Sequence, residues 1–233
     1  MPVLTLLLLL PVLACCRHLC HLRLCGHHSD ALRLYRRLSL ALGGGVWMGI
    51  AAQEALLLLA GQLTPATALP LHLCSITGLL TLPALLTRRD ALLHILLYAG
   101  LPGAVLALLF PAVAQSPWPV SMAFFFCLTH GGIALAPLLP LCLGWRPRPR
   151  GAAQSFLFLL TAAIAASVAN RMTGGNYLFL AGPVAGTPLT ALSQWGMGAY
   201  RLLLVLLAAL VMAAEAAVVF CLRRIGHCTA RKG

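Results

Sequence analysis

The amino-acid sequence predicts an all-α, polytopic integral membrane protein with seven transmembrane helices, and three observations lead there. Of its 233 residues, 61% are hydrophobic and only 9% are charged, too little polar surface for a water-soluble domain of this size to cover itself. The apolar residues fall into seven runs separated by arginine clusters, prolines or glycines. Each run is apolar on both parities, which excludes the alternation of a lipid-facing barrel strand and leaves the helix as the spanning structure. A span takes about 20 residues, so seven spans with short loops account for nearly the whole chain, read as one transmembrane domain over 1–233.

The first run, about residues 2–16, is short for a span and has no positively charged start. It reads as a helix, with the apolar region of a signal peptide as the alternative, in which case six helices remain. Residues 17–37 follow as a basic loop containing several Cys and His. The second run, 38–60, carries the pair Gly45 and Gly49, whose spacing lets a neighbouring backbone approach closely. The third and fourth runs, 69–87 and 91–113, flank Arg88 and Arg89. Pro83 in the third run and Pro137 and Pro140 in the fifth, 120–143, are expected to kink or end their helices. The sixth and seventh runs are 152–170 and 199–222, and residues 223–233 form a tail.

Orientation follows from the basic residues. Fourteen of the sixteen lie in 17–37, 88–89, 146–150 and the C-terminal segment, whereas connections 61–68 and 114–119 carry no charge. The positive-inside rule then places the N-terminus outside and the C-terminus in the cytoplasm. The net charge of +12 is spread as small arginine clumps without interleaved aromatics, so it marks topology rather than nucleic acid. Five of the nine cysteines (Cys15, Cys16, Cys127, Cys142 and Cys221) sit in or at the ends of apolar runs, where a thiol acts as a small hydrophobe, and no disulfide framework is expected. The spacing of Cys15, Cys16, Cys20, Cys25 and their histidines matches no zinc pattern, and no metal or cofactor is expected.

Polar residues inside lipid are costly, so each one marks a functional candidate. Gln53 and Glu54 lie roughly 10 Å below the outer end of the second run. His72 and Cys74 open the third, His130 follows Cys127 and Thr129 in the fifth, and Asn170 closes the sixth before Asn176 and Tyr177. Nearly all of them fall in the outer half, which implies a polar cavity open to the outer leaflet. A thiol beside imidazoles permits nucleophilic acyl transfer, with a carboxylate such as Glu54 orienting an imidazole. Packing is the competing reading for each residue alone, and Cys127 is a competing thiol. Glu215 falls in the inner half and reads as structural or paired with Arg223 or Arg224, and His94 as interfacial. Hydrolase, metalloprotease, phosphate-loop and dinucleotide motifs are absent.

The segments Leu69-Pro-Leu-His-Leu-Cys74, Thr129-His130-Gly131 and Gly175-Asn176-Tyr177-Leu178-Phe179-Leu180 together resemble the YwaF-like family of bacterial integral membrane proteins, related to the animal transmembrane-protein-164 family. The likeness covers about residues 38–222. It implies seven helices in a bacterial cell membrane and an acyltransferase that moves a fatty acyl chain between phospholipid and lysophospholipid. Cys74 matches the nucleophile and His130 the histidine of the fifth helix. Asn176 and Tyr177 match the outer-loop signature and Glu54 a second-helix acid, while Ser75 stands where bacterial members carry Asp. His72, Gln53 and Asn170 complete the expected site. A lipid hydrolase on the same residues, and a transporter or small-molecule binding protein without chemistry, are the alternatives.

Overall fold

The computed structural model describes residues 2–111, 117–183, 187 and 189–230, with side chains from 10 to 224. Every regular element among them is helical. We label the principal helices α1 (Pro2–Leu24), α2 (His28–Leu59), α3 (Leu73–Thr87), α4 (Asp90–Leu109), α5 (Pro119–Leu143), α6 (Arg150–Thr173) and α7 (Met197–Ala230). Five of them, α2, α4, α5, α6 and the Met197–Arg224 part of α7, are long and apolar enough to cross a membrane. The fifteen residues of α3 are shorter, so five such helices, not the expected seven, meet that requirement among the described residues. The chain is thus built as an integral membrane protein.

Several boundaries depart from the sequence expectation. Residues 17–37 are not a loop: α1 runs on to Leu24 and α2 starts at His28. This stretch contains no proline, and its Leu, Arg and Ala residues favour helix, so only Gly26 interrupts it, at φ +83°. Tyr35, inside the expected loop, is buried and donates its hydroxyl proton to the carbonyl of Leu85 at 2.7 Å. The α7 helix likewise continues through the expected tail to Ala230, while residues 231–233 lie outside the described residues. The expected fourth run ends early, because Phe110 leaves helical backbone after Leu109, and residues 112 and 113 lie outside the described residues. Pro137 splits α5 into Pro119–Leu135 and Leu138–Leu143, as its ring and missing amide demand. Within α4 the backbone widens to a π-turn over Leu96–Gly100.

The α2 helix runs antiparallel to α3, with Tyr35 at Leu85 and Ile50 at Gly78, and to α5, with Val46 at Gly132 and Gly49 at Phe125, which gives these helices an arginine-poor end and an arginine-rich end. Small residues set the helix spacing. A Cβ on Gly43 would stand 2.8 Å from Leu82 Cβ, and one on Gly49 would run into the hydroxyl of Thr129. The first of these brings α2 against α3 and the second brings it against α5. At the arginine-rich end, α4 and α6 are joined around His94, which is 3% exposed. Its Nε2 accepts the amide proton of Arg148 at 3.1 Å, and its ring occupies the space a Cβ on Gly151 would need. Asp90 beside it accepts from Trp145 Nε1 at 3.0 Å and faces Arg148 at 3.7 Å. His94 therefore acts as a joint between α4 and α6.

The α7 helix shows most of its apolar side chains outward, including Leu202, Leu206, Leu210 and Val218, as a lipid-facing helix does. Of the two expected readings of its acid, structural or paired, the pair is not formed. Glu215 pairs with neither arginine, because Arg223 donates to the carbonyl of Pro147 at 3.4 Å and Arg224 lies over the ring of Phe220 at 4.7 Å. Glu215 Oε2 is buried with no partner among the described residues.

Candidate functional site

The site is built from the start of α3. Pro70 and the extended backbone of His72 (φ −74°, ψ 147°) hold the chain outside the helix until Leu73. His72 gives the helix no side-chain cap. Cys74 is therefore the second residue of α3, in a first turn whose amides lack intrahelical acceptors and whose dipole presents positive charge.

One turn further on, Gly78 marks where three helices meet. A Cβ there would stand 2.7 Å from Ile50 Cδ1 and 3.4 Å from both Ile133 Cδ1 and Val46 Cγ1. Cys74 precedes Gly78 by four residues in α3, His130 precedes Ile133 by three in α5, and Glu54 follows Ile50 by four in α2. Residues three or four apart share a helix face. With α2 running opposite to α3 and α5, all three side chains are displaced toward the arginine-poor end, by about 4.5–6 Å. Cys74, His130 and Glu54 each lie about one turn from the junction of α2, α3 and α5 at Gly78. The fourth wall is α4: Cys74 packs on the cluster of Val46, Ala104 and Ile133, and its sulfur lies 3.9 Å from where a Gly103 Cβ would be.

His130 is 9% exposed, and its ring rests on Phe126 with centroids 4.0 Å apart. Its Nδ1 lies 2.8 Å from the carbonyl oxygen of Phe126. A carbonyl only accepts, so Nδ1 carries the proton of the neutral ring and Nε2 is left as a proton acceptor. The Cys74 sulfur makes no hydrogen bond to His72 or His130 among the described residues. Half-buried Glu54 likewise has no hydrogen bond or ion pair among them. Gln53 differs: its amide nitrogen donates to Thr129 Oγ1 at 3.0 Å and to the carbonyls of Gly49 at 3.1 Å and Phe125 at 3.4 Å. Its amide therefore holds α2 to α5.

The residues of the loop after α6 form a cap at the arginine-poor end. Asn170 receives the amide proton of Tyr177 at 2.7 Å and donates to the carbonyl of the same residue at 3.1 Å. Asn176 accepts from the amides of Ala181 and Gly182 at 2.9 and 3.2 Å and donates to Gly182 O at 2.9 Å. Tyr177 is fully buried, its hydroxyl donating to Pro65 O at 2.7 Å and accepting from Leu69 N at 3.0 Å. That ties the loop after α6 to the loop before α3. The rings of Tyr177 and Phe179 lie 5.3 and 5.5 Å from the His72 ring. Their placement depends on two consecutive left-handed residues, Leu178 (φ 54°) and Phe179 (φ 59°), a conformation costing about 1–2 kcal/mol per non-glycine residue. Tyr200, through its hydroxyl to Phe179 O at 2.9 Å, and Arg201, through Nε to Leu180 O at 2.8 Å, hold the turn in place.

A family model described as the TMEM164 family matches residues 2–216. The chain belongs to the TMEM164 family. The match includes α1, which the likeness of the motifs left out, but extends neither to the YwaF-like branch nor to a bacterial host. No curated protein and no solved structure matches the chain.

Within this TMEM164-family bundle the competing thiol has other surroundings. Cys127 is buried on another face of α5 and lines an apolar cavity of about 190 Å³ with Val12, Leu38, Gly45, Leu128 and Gly131. No imidazole lines that cavity. Sequence reasoning missed Thr129 as the partner of Gln53, Phe179 as the second ring against His72, and Gly103 as the space beside the Cys74 sulfur. Spacing alone could have suggested Phe179, two residues beyond Tyr177, but nothing in the sequence pairs Gly103 with Cys74.

Proposed function

We propose that this protein is a phospholipid acyltransferase or lipid-remodelling enzyme embedded in the membrane, working through an acyl-thioester on Cys74. The observation that carries the reading is that α2, α3 and α5 meet at Gly78, about one turn from Glu54, Cys74 and His130 respectively, with the thiol in the uncapped first turn of α3. In the first step His130 Nε2 takes the thiol proton and the sulfur attacks the ester carbonyl of a phospholipid. The carbon–sulfur bond forms, the carbon–oxygen bond to glycerol breaks, and His130 returns the proton to the departing alkoxide. In the second step a lysophospholipid hydroxyl gives its proton to His130 and attacks the thioester, the carbon–sulfur bond breaks, and the released Cys74 thiolate takes that proton back from His130. The free first-turn amides of α3 stabilise the oxyanion formed in each step.

Glu54 orients or charges the imidazole, and His72, held by Tyr177 and Phe179, closes the site from above. Asn170, Asn176 and Tyr177 serve the reaction by holding that lid rather than by touching substrate, and Gln53 fixes the spacing of α2 and α5. The same reading takes α1 and α3 as spans beside the five long helices. It gives seven in all, with the N-terminus outside, the C-terminus in the cytoplasm and the reactive layer under the outer leaflet. The chain needs no cofactor for this chemistry.

The test supplies purified protein in lipid nanodiscs with a labelled phospholipid and an unlabelled lysophospholipid. Label appearing on the lysophospholipid, together with a hydroxylamine-sensitive acyl group on Cys74, is the expected result. Free fatty acid in place of transferred chain makes the protein a hydrolase on the same residues. Lipid left unchanged, with no acyl group on Cys74, sinks the enzymatic reading in favour of a binding protein or transporter.

A further inference from the structure

Gly45 and Gly49 share a face of α2, but only one of them serves close packing. A Cβ on Gly49 would run into the Thr129 hydroxyl, whereas one on Gly45 would meet only Leu128 Cδ1 at 3.8 Å, an ordinary contact. The room that Gly45 leaves belongs to the apolar cavity of about 190 Å³ between α1, α2 and α5. Cys127, Gly131, Leu135 and Leu139 of its α5 wall are buried, while Ala41 of its α2 wall is exposed, so the cavity opens sideways beside Ala41. Apart from the Cys127 thiol no polar side chain lines it, and water finds too few of the about two to four partners it needs.

A hydrocarbon chain suits this space. An apolar cavity of about 150 Å³ holds the six carbons of benzene, so 190 Å³ takes roughly seven or eight carbons. The lining residues from Leu38 to Gly45 cover about 10 Å of α2, so the space is long enough to take them in a row. Lipid tails are as apolar as leucine, and the gain on entry is dispersion contact with the walls. The rim adds charge. Arg37 is exposed on the same face of α2 as Ala41, one turn nearer the arginine-rich end, and makes no hydrogen bond or ion pair among the described residues. None of the four acids of the chain is placed to serve it: Asp30 is bridged to Arg33, Asp90 faces Arg148, Glu215 belongs to α7, and Glu54 lies roughly 25 Å along α2. Its counter-charge must come from outside the chain.

We propose that this cavity binds one acyl chain of an anionic phospholipid from the leaflet at the arginine-rich end, with the charged head group on Arg37. The site is independent of the chemistry at Cys74: it lies on a different face of α5 from His130 and holds the lipid as a fixed component, not a substrate. Binding ties α1 to α2 and α5, so the lipid stabilises the bundle by mass action.

The experiment follows thermal unfolding of the full chain in phosphatidylcholine nanodiscs in which phosphatidylglycerol replaces an increasing share of the lipid at constant ionic strength. Phosphatidylglycerol is expected to raise the melting temperature saturably by several degrees. Gly45→Leu, whose side chain fills the cavity, erases that increment. Arg37→Gln raises the share of phosphatidylglycerol needed for half of it about fivefold, the worth of one basic side chain at a membrane surface. Equal melting temperatures across the lipid series overturn the proposal. So does an increment that survives in Gly45→Leu, which would come from head groups on the arginines alone. A second copy of the chain seated on the cavity would give chain-to-chain cross-links through a cysteine at position 41 and no lipid dependence, and that result also refutes it. Should Gly45→Leu fail to fold, phosphatidylglycerol with a diazirine midway along one chain decides on the native protein: photolabel on the cavity residues supports the site, and photolabel confined to other surfaces refutes it.

Discussion

The cap at the arginine-poor end and the layer beneath it hold their polar side chains in opposite states. In the cap, Asn170, Asn176 and Tyr177 spend their polar atoms on backbone partners, at 2.7–3.2 Å throughout. In the layer below, the Cys74 sulfur, the Glu54 carboxylate and His130 Nε2 make no hydrogen bond among the described residues, although His130 Nδ1 is held by Phe126 O. Unsatisfied polar groups are expensive inside a membrane. The satisfied set therefore builds a lid, and the unsatisfied set is kept free for something that enters. In this bundle, hydrogen-bond saturation separates supporting residues from candidates for chemistry better than residue type does.

Four substitutions sharpen or break that contrast, taken from the largest expected effect to the smallest. Cys74→Ala is expected to abolish both acyl transfer and acyl labelling while leaving the melting temperature within a few degrees, read by lipid mass spectrometry and thermal unfolding. Transfer that persists in this variant removes Cys74 from the mechanism. His130→Gln is expected to slow transfer by about 10²–10⁴-fold, the usual worth of a general base. Its pH–rate profile should lose the limb that reports the imidazole, and an unaltered profile would show that His130 only packs.

Asn170→Ala belongs to the cap. Losing both bonds to Tyr177 should cost about 2–4 kcal/mol of stability, seen as a lower melting temperature. Activity per folded molecule should fall far less than in His130→Gln. A loss of activity with stability intact would move Asn170 out of the lid and into the site. Glu54→Gln is expected to change stability by less than about 0.5 kcal/mol, since no partner is lost. It should lower kcat by roughly tenfold, equal to about 1.4 kcal/mol of transition-state stabilisation. A strongly destabilised Glu54→Gln would reveal a structural partner and place Glu54 with the cap.

Much of the fold was legible in the sequence because lipid imposes a simple pattern on it. Apolar runs, arginine clumps and the prolines of α5 marked the helices and the two ends of the bundle. The helix boundaries were less legible, since Leu and Arg favour helix on either side of the membrane surface, and α1 and α2 therefore extend through residues 17–37. The candidate residues stood out in the sequence as rare polar groups, but their division into cap and layer was not visible, because it depends on partners such as Pro65, Gly182 and Phe126 that no spacing rule connects.

Glu215 marks the limit most clearly. The sequence offered Arg223 and Arg224 as its partners, yet in the folded chain Arg223 bonds to Pro147 O, Arg224 lies over Phe220, and Glu215 Oε2 is buried without a partner among the described residues. By itself the sequence determined what must lie in lipid, since burial of apolar length is a property of each run alone. Only the tertiary structure decided which polar atoms found partners, because a hydrogen bond needs two groups within about 3 Å, and residues far apart in the chain meet at that distance only after the helices have packed.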